Sequence, residues 1–269
     1  MIKIHDITLA QDGVQQRLVP VQEAHIYLDK IATGGVSAVS CGSGLMTPSS
    51  RHMASMLASA TSLMVTGVID MSYDSIAMAS QTLGTIHAQL QIRYDGHDLT
   101  FEDAAKRIDK YMREARRVGF TDIALMFDDA FALDRGLFLD LSHQAVSSGA
   151  SCVIMGDVHS IAVPKTVEKR VWALRQSLPQ GSEIGIQCHN GLGLATANTM
   201  AACESGARLL QAVMPCVQEQ TGLASIVDLI TILQQVYPQV PTMPMDREYM
   251  VSADELLSYT MSRQKTIGR

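Results

Sequence analysis

Short runs of apolar and β-branched residues recur along this chain near positions 2–9, 36–42, 62–69, 87–94, 121–127, 151–156, 183–188 and 207–214. Longer stretches with helical spacing lie between them. Thr100 with Asp103 reads as a helix start, apolar residues at helical spacing follow to Arg117, and Gly119 ends the run. Pro164 suits a helix first turn, and Gly181 falls in the loop after that helix. No hairpin dipeptide joins one run directly to the next. Repeated β-then-α units without hairpins predict an α/β fold, a closed parallel (β/α)8 barrel. The 269 residues fit the usual size of one such barrel, about 250 residues. An open doubly wound sheet ranks below it, because no glycine-rich phosphate fingerprint follows the first strand. The expected layout is a barrel over 1–237 and a helical extension over 238–269.

Composition narrows the function classes. A net charge of −6 gives no electrostatic case for nucleic acid. No apolar run reaches the roughly 18 residues that span a membrane. The start, MIKIHDITL, reads as a strand and not as a signal peptide. Cys41, Cys152, Cys188, Cys203 and Cys216 are scattered without CxxC spacing, which points to a reducing cytoplasm. The methionines, Met53, Met56, Met64, Met71 and Met78 among them, read as adaptable core filler.

A barrel of this kind carries its chemistry at the carboxyl ends of its strands. That rule selects Gln11 and Asp12 after the first strand, Ser43 after the second, Arg93 at the end of the fourth and Asp128-Asp129 after the fifth. It adds Asp157 and His159 from the sixth, Gln187, His189 and Asn190 from the seventh, and Cys216 beyond the eighth. Several carboxylates and two histidines on one rim suit a divalent cation; equally, loops are polar in any protein.

The stretch Glu183 to Gly206 is the most informative. Residues alternate faces along a strand, so Gln187 and His189 point one way and Cys188 the other. This stretch resembles a signature of the metal-dependent TIM-barrel lyases and synthases, the DRE-TIM metallolyase superfamily. These include 3-hydroxy-3-methylglutaryl-CoA lyases, 4-hydroxy-2-oxovalerate aldolases and isopropylmalate and homocitrate synthases. The family pattern H-x-H-N-x-x-G-x-A-x-A-N meets Gln187-Cys188-His189-Asn190, then Gly193, Ala195, Ala197 and Asn198. The first histidine, a metal ligand in the family, is Gln187 here.

A second patch, Asp6 to Gln15, resembles the family's D-x-T-L-R-D-G or P-R-D-G-L-Q signature. It places Asp12 on a metal-binding aspartate and Gln11 on the arginine that stabilises an enolate. Glutamine donates hydrogen bonds but supplies no fixed charge. The glutamate that partners this arginine falls on Ser40, so charge and counter-charge are lost together. Asp157 and Pro164 fall in register on the family's G-D-T-x-G-x-x-x-P segment, and a usual G-N becomes Gly222-Leu223.

The resemblance implies a carbon–carbon lyase or aldolase acting on a 2-oxo or 3-hydroxy acyl substrate through an enolate. Mg²⁺ or Mn²⁺ would sit on Asp12, His189 and the amide oxygen of Gln187. Gln11, Asp157, His159 and Cys216 are the catalytic candidates. Ser43, Arg93 and Asn190 are the substrate-binding candidates. His159 reads as a replacement ligand, a general acid/base or a solvated loop histidine, and Cys216 as a proton donor or a packing residue. Two alternatives stand beside the lyase: an acyl-CoA condensing synthase of the same superfamily, and a metal-free barrel acting as a binding subunit. The family also implies a homodimer or larger homo-oligomer.

Overall fold

A computed structural model describes residues 1–11, 19–43, 51, 54–55, 57, 63–84, 88–98, 100–239 and 244–267. The strands are β1 (Lys3–Asp6), β2 (Ala38–Ser43), β3 (Met64–Asp70), β4 (Ala88–Tyr94), β5 (Asp122–Phe127), β6 (Cys152–Asp157), β7 (Glu183–Cys188) and β8 (Leu209–Ala212). They form a closed parallel barrel in chain order. Closure is made by β8 against β1, from Lys3 opposite Leu209 to Asp6 opposite Ala212. The eight expected runs all become strands, and the (β/α)8 barrel stands. Among the described residues no helix is long and apolar enough to cross a membrane.

The helices that matter for the site's support are α1 (Val21–Thr33), α2 (Tyr73–Leu83), α3 (Phe101–Arg117), α4 (Arg135–Ser147), α5 (Pro164–Ser177), α6 (Ala195–Glu204), α7 (Pro215–Thr221), α8 (Ile226–Gln235) and α9 (Arg247–Ile267). Their starts follow from side-chain caps. Thr100 Oγ1 accepts from the Asp103 amide at 3.1 Å, and Ser72 and Ser225 do the same for α2 and α8. Helix α3 buries Ala104, Ile108, Met112 and Ala115, one stripe at helical spacing. Gly119 follows at φ +107°, a left-handed conformation that suits glycine.

Strand alternation divides the core in two. Ala124, Met126, Cys152, Ile154 and Leu209 fill the barrel interior. Their neighbours Ile123, Leu125, Phe127, Val153, Met155 and Leu210 face the helices. This parity decides which side chains reach the mouth. The chain end packs outside, with α9 against α1: the Asp246 amide donates to Gly34 O at 3.1 Å.

Among the strand ends that differ from the sequence expectation, two shape the mouth. Strand β1 stops at Asp6, because its carboxylate accepts from the Thr8 amide at 2.8 Å and from the Thr8 hydroxyl. The chain then turns through a short 3-10 segment, Thr8–Ala10. Strand β8 stops at Ala212, and Val213 makes only an isolated bridge to Ser225.

Candidate active site

A cavity of about 240 Å³ opens at the carboxyl end of the barrel. Gln11, Gln91, Arg93, Gln187, His189 and Gln211 supply its polar wall; Ile7, Ala10, Val68, Met126 and Val158 supply the rest. Parity explains the set. In β4, A-Q-L-Q-I-R-Y, every second residue faces inward, so Gln91 and Arg93 stack toward the mouth. The same rule aims Gln187 and His189 inward and buries Cys188 on the other face, among residues that pack against the helices.

Arg93 is the cation of this wall. Asp128, just beyond β5, accepts from its Nε at 3.0 Å and from its Nη2 at 2.8 Å. This two-point grip fixes the guanidinium plane. Nη1 keeps only a 4.0 Å approach to Asp70 among the described ion pairs. The Asp128 hydrogen bonds raise the Arg93 pKa further, which keeps the guanidinium charged, while burial raises the Asp128 pKa against the pull of Arg93.

His189 stands in the same wall. Burial, and then the positive charge of Arg93, push its pKa below the usual 6.5. It is a neutral imidazole at neutral pH. Gln187 Nε2 lies 3.3 Å from His189 Nε2. The two side chains can pair in either sense, amide N–H to ring lone pair or ring N–H to amide oxygen. Gln11 donates Nε2 to Ile7 O at 2.9 Å, which holds it against the cavity.

The cavity floor is neutral and hydrogen-bonded. Gln211 donates to Gln91 Oε1 at 2.7 Å and approaches His5 Nδ1 at 3.3 Å; His5 Nε2 lies 2.9 Å from Ser40 Oγ. Ser40, on the position of the family's glutamate, thus partners a histidine that burial pushes down to about 3. Gln211 Oε1 is buried without a partner among the described residues. Such an acceptor costs free energy until a donor meets it.

Other expected residues stand elsewhere. Asp12 lies outside the described residues, as does the side chain of Ser43, whose backbone belongs to β2. Asp157 is turned away from the mouth: fully buried, it accepts from the Ile161 and Ala162 amides at 2.9 and 3.2 Å and holds the β6–α5 loop. Strand β6 ends at Asp157, so strand alternation does not carry on to His159. His159 instead meets Asp129 Oδ2 through Nδ1 at 2.7 Å with its side chain 70% exposed. Cys216 is corrected too. It sits in α7, where its amide donates to Asp254 Oδ1 at 2.7 Å. Burial and the Asp254 carboxylate push its thiol far above the usual range, against α9 and not at the mouth. Asn190 spends its side-chain oxygen on the amide of Ala195, the first residue of α6, at 2.9 Å. The structure therefore gathers Gln11, Arg93, Gln187 and His189. Gln91 and Gln211 were not singled out in the sequence, although polar residues at every second position of β4 signal the first of them.

The described residues do not fit a divalent cation. Their mouth donors are an imidazole nitrogen already facing Gln187 and neutral amides, while the Asp128 carboxylate is bound to Arg93. No three His, Cys, Asp or Glu side chains gather as ligands among the described residues. A guanidinium in the same wall opposes a second positive charge.

Comparisons with known proteins agree on the architecture. A family model described as HMGL-like matches residues 1–252. The HMG-CoA lyase of Bacillus subtilis superposes with a TM-score of 0.77 at 16% identity, covering 97% of this chain and 94% of that one. An Acinetobacter baumannii HMG-CoA lyase in complex with coenzyme A and 3-methylmalate gives 0.76 at 17% identity, over 97% and 92%. In sequence, the Arabidopsis thaliana chloroplastic methylthioalkylmalate synthase 1 is 26% identical over 171 residues, 60% of this chain. The chain spans about a third of the length of that relative, 33%.

Proposed function

Because the chain belongs to the HMGL-like family, we propose that it is an enzyme of carbon–carbon bond chemistry, cleaving a small 2-oxo or 3-hydroxy acyl substrate through an enolate. The observation that carries this reading is the ionised, doubly held Arg93 beside the neutral His189 in one cavity at the barrel mouth. A guanidinium fixed where charge develops stabilises a transition state without reorganising. Arg93 supplies from β4 the positive charge that Gln11 lacks on the first strand's end.

Cleavage follows from these groups. The substrate carboxylate or carbonyl oxygen meets Arg93, and the Gln11 and Gln187 amides add hydrogen bonds. Neutral His189 takes the proton of the hydroxyl on the carbon that departs. That oxygen's electrons form the new carbonyl, the carbon–carbon bond breaks, and its electron pair moves to the first carbonyl oxygen as an enolate opposite Arg93. A proton returned to the enolate carbon completes the reaction, and atoms and charge balance without an oxidant. Run in reverse, the same groups join an enolate to a carbonyl. The synthase relative in sequence supports this condensing sense as the second reading. The described donors do not favour Mg²⁺ or Mn²⁺.

The test is a cleavage screen of 4-hydroxy-2-oxo acids and 3-hydroxyacyl thioesters, with carbonyl products followed by NMR. The lyase reading expects release from at least one series and a loss of roughly a hundredfold or more in Arg93→Gln. Silence toward both series and toward condensation refutes it.

A further inference from the structure

We infer that the Arg93 guanidinium, clamped by Asp128, does at this mouth the work of a divalent cation, so that the cavity takes a small oxo-carboxylate anion without a metal. The inference rests on the site described above but not on turnover, and it departs from what family resemblance implies. Three observations carry it.

First, the carboxylate nearest the described wall is taken up by an arginine. Asp128 gives both oxygens to Arg93, at 3.0 and 2.8 Å, and Asp70 stands 4.0 Å from Nη1. A cation bound by Asp128 would have to displace the guanidinium from the carboxylate that holds it at two points and then share the cavity with it.

Second, the described wall offers one imidazole, and its neighbour two residues earlier on the strand is an amide. His189 Nε2 lies 3.3 Å from the Gln187 amide nitrogen, where the family pattern has its first histidine. Exchanging the amide's nitrogen and oxygen would leave His189 Nε2 facing Gln187 all the same, so the contact does not hinge on that assignment.

Third, the remaining polar wall is amides: Gln11, Gln91, Gln187 and Gln211. Amides donate and accept but carry no charge to balance a dication. One guanidinium with neutral amides is matched to one carboxylate and its neighbouring carbonyl. A guanidinium also presents paired N–H groups to such an anion in a plane, which a spherical ion does not.

The probe is oxalate, a dianion shaped like a planar enolate of a small oxo acid, titrated calorimetrically into the full chain. The inference expects binding that is unchanged after EDTA treatment and not enhanced by Mg²⁺ or Mn²⁺. It expects a loss of about 10- to 100-fold in Arg93→Gln, with partial retention in Arg93→Lys. A Mn²⁺ titration read by electron paramagnetic resonance should show no stoichiometric site in the wild-type protein, an arm that needs no variant to fold. Oxalate binding abolished by EDTA and restored by Mn²⁺ overturns the inference. So does stoichiometric Mn²⁺ that is lost in His189→Ala, or an absence of oxalate binding. Metal-free oxalate binding without cleavage of any substrate refutes the lyase reading and leaves this inference standing.

Discussion

Arg93 and His189 set the chemistry at the scale of single residues, and each reports on the other. Burial and then Arg93 lower the His189 pKa below 6.5. Protonation is therefore deferred as pH falls, and the base form persists below the ordinary histidine range. An NMR titration of the His189 ring should give a midpoint below 6.5, and Arg93→Gln should move it upward. An unmoved midpoint would separate the two groups. On the cavity floor, the unpartnered Gln211 Oε1 asks for a donor. Gln211→Met should cost about tenfold in affinity for a hydroxyl-bearing acid over its deoxy analogue, measured as paired dissociation constants such as malate against succinate. Of these residues, Gln187 and His189 were legible in the sequence because strand parity alone puts them on one face. Arg93 was legible only as a strand end. Asp157 shares the parity of Val153 and Met155 and so faces away from the mouth, and of the two readings of Cys216 the packing one fits its place in α7. The Asp157–Ile161 and Cys216–Asp254 contacts are made by loop and helix geometry that no spacing encodes.

The elements hold the site through close approaches as well as caps. A Cβ on Gly156 would stand 2.4 Å from Asp128 O and 2.9 Å from Phe127 O. Glycine at that point lets β6 close on the end of β5, directly behind the carboxylate that clamps Arg93. Gly156→Ala should destabilise the fold by about 1–3 kcal/mol, the usual range for overpacking. It should also loosen oxalate binding although Gly156 touches no ligand, an outcome read by denaturant titration and calorimetry together. Unchanged values in both would show that the approach is not needed. Element identity was readable in advance because apolar runs, Thr100, Pro164 and Gly119 all punctuate the chain locally. Element ends were less readable. Asp6 halts β1 by bonding Thr8, a side-chain choice that competes with the strand ladder.

Over the whole molecule, a barrel with polar side chains through its interior ties stability to pH. His5 is fully buried between Ser40 and Gln211, with its pKa lowered from 6.5 to about 3. The unfolded chain takes up this proton first, so the contribution is whole above the unfolded value and is lost as pH falls from 6.5 toward 3. Within that window each unit of acidification should cost about 1.4 kcal/mol from this group. In His5→Asn the slope of unfolding free energy against pH should flatten by that amount, and an identical slope would assign the dependence elsewhere. The barrel itself was legible from alternating strand and helix runs, since few folds accommodate that order. Arg93 was legible as a residue at the end of the fourth strand, but its two-point hold by Asp128 was not, because that contact arises where β4 and the end of β5 meet. The central claim, an enolate held by Arg93 in this cavity, belongs to both the cleaving and the condensing reading. It is tested most directly by NMR of deuterium uptake at C3 of 2-oxobutyrate in heavy water. The wild-type protein should exchange these protons well above the buffer rate, and Arg93→Gln should slow the exchange about 100-fold or more. Exchange at the buffer rate, or equal exchange in the variant, would contradict the account.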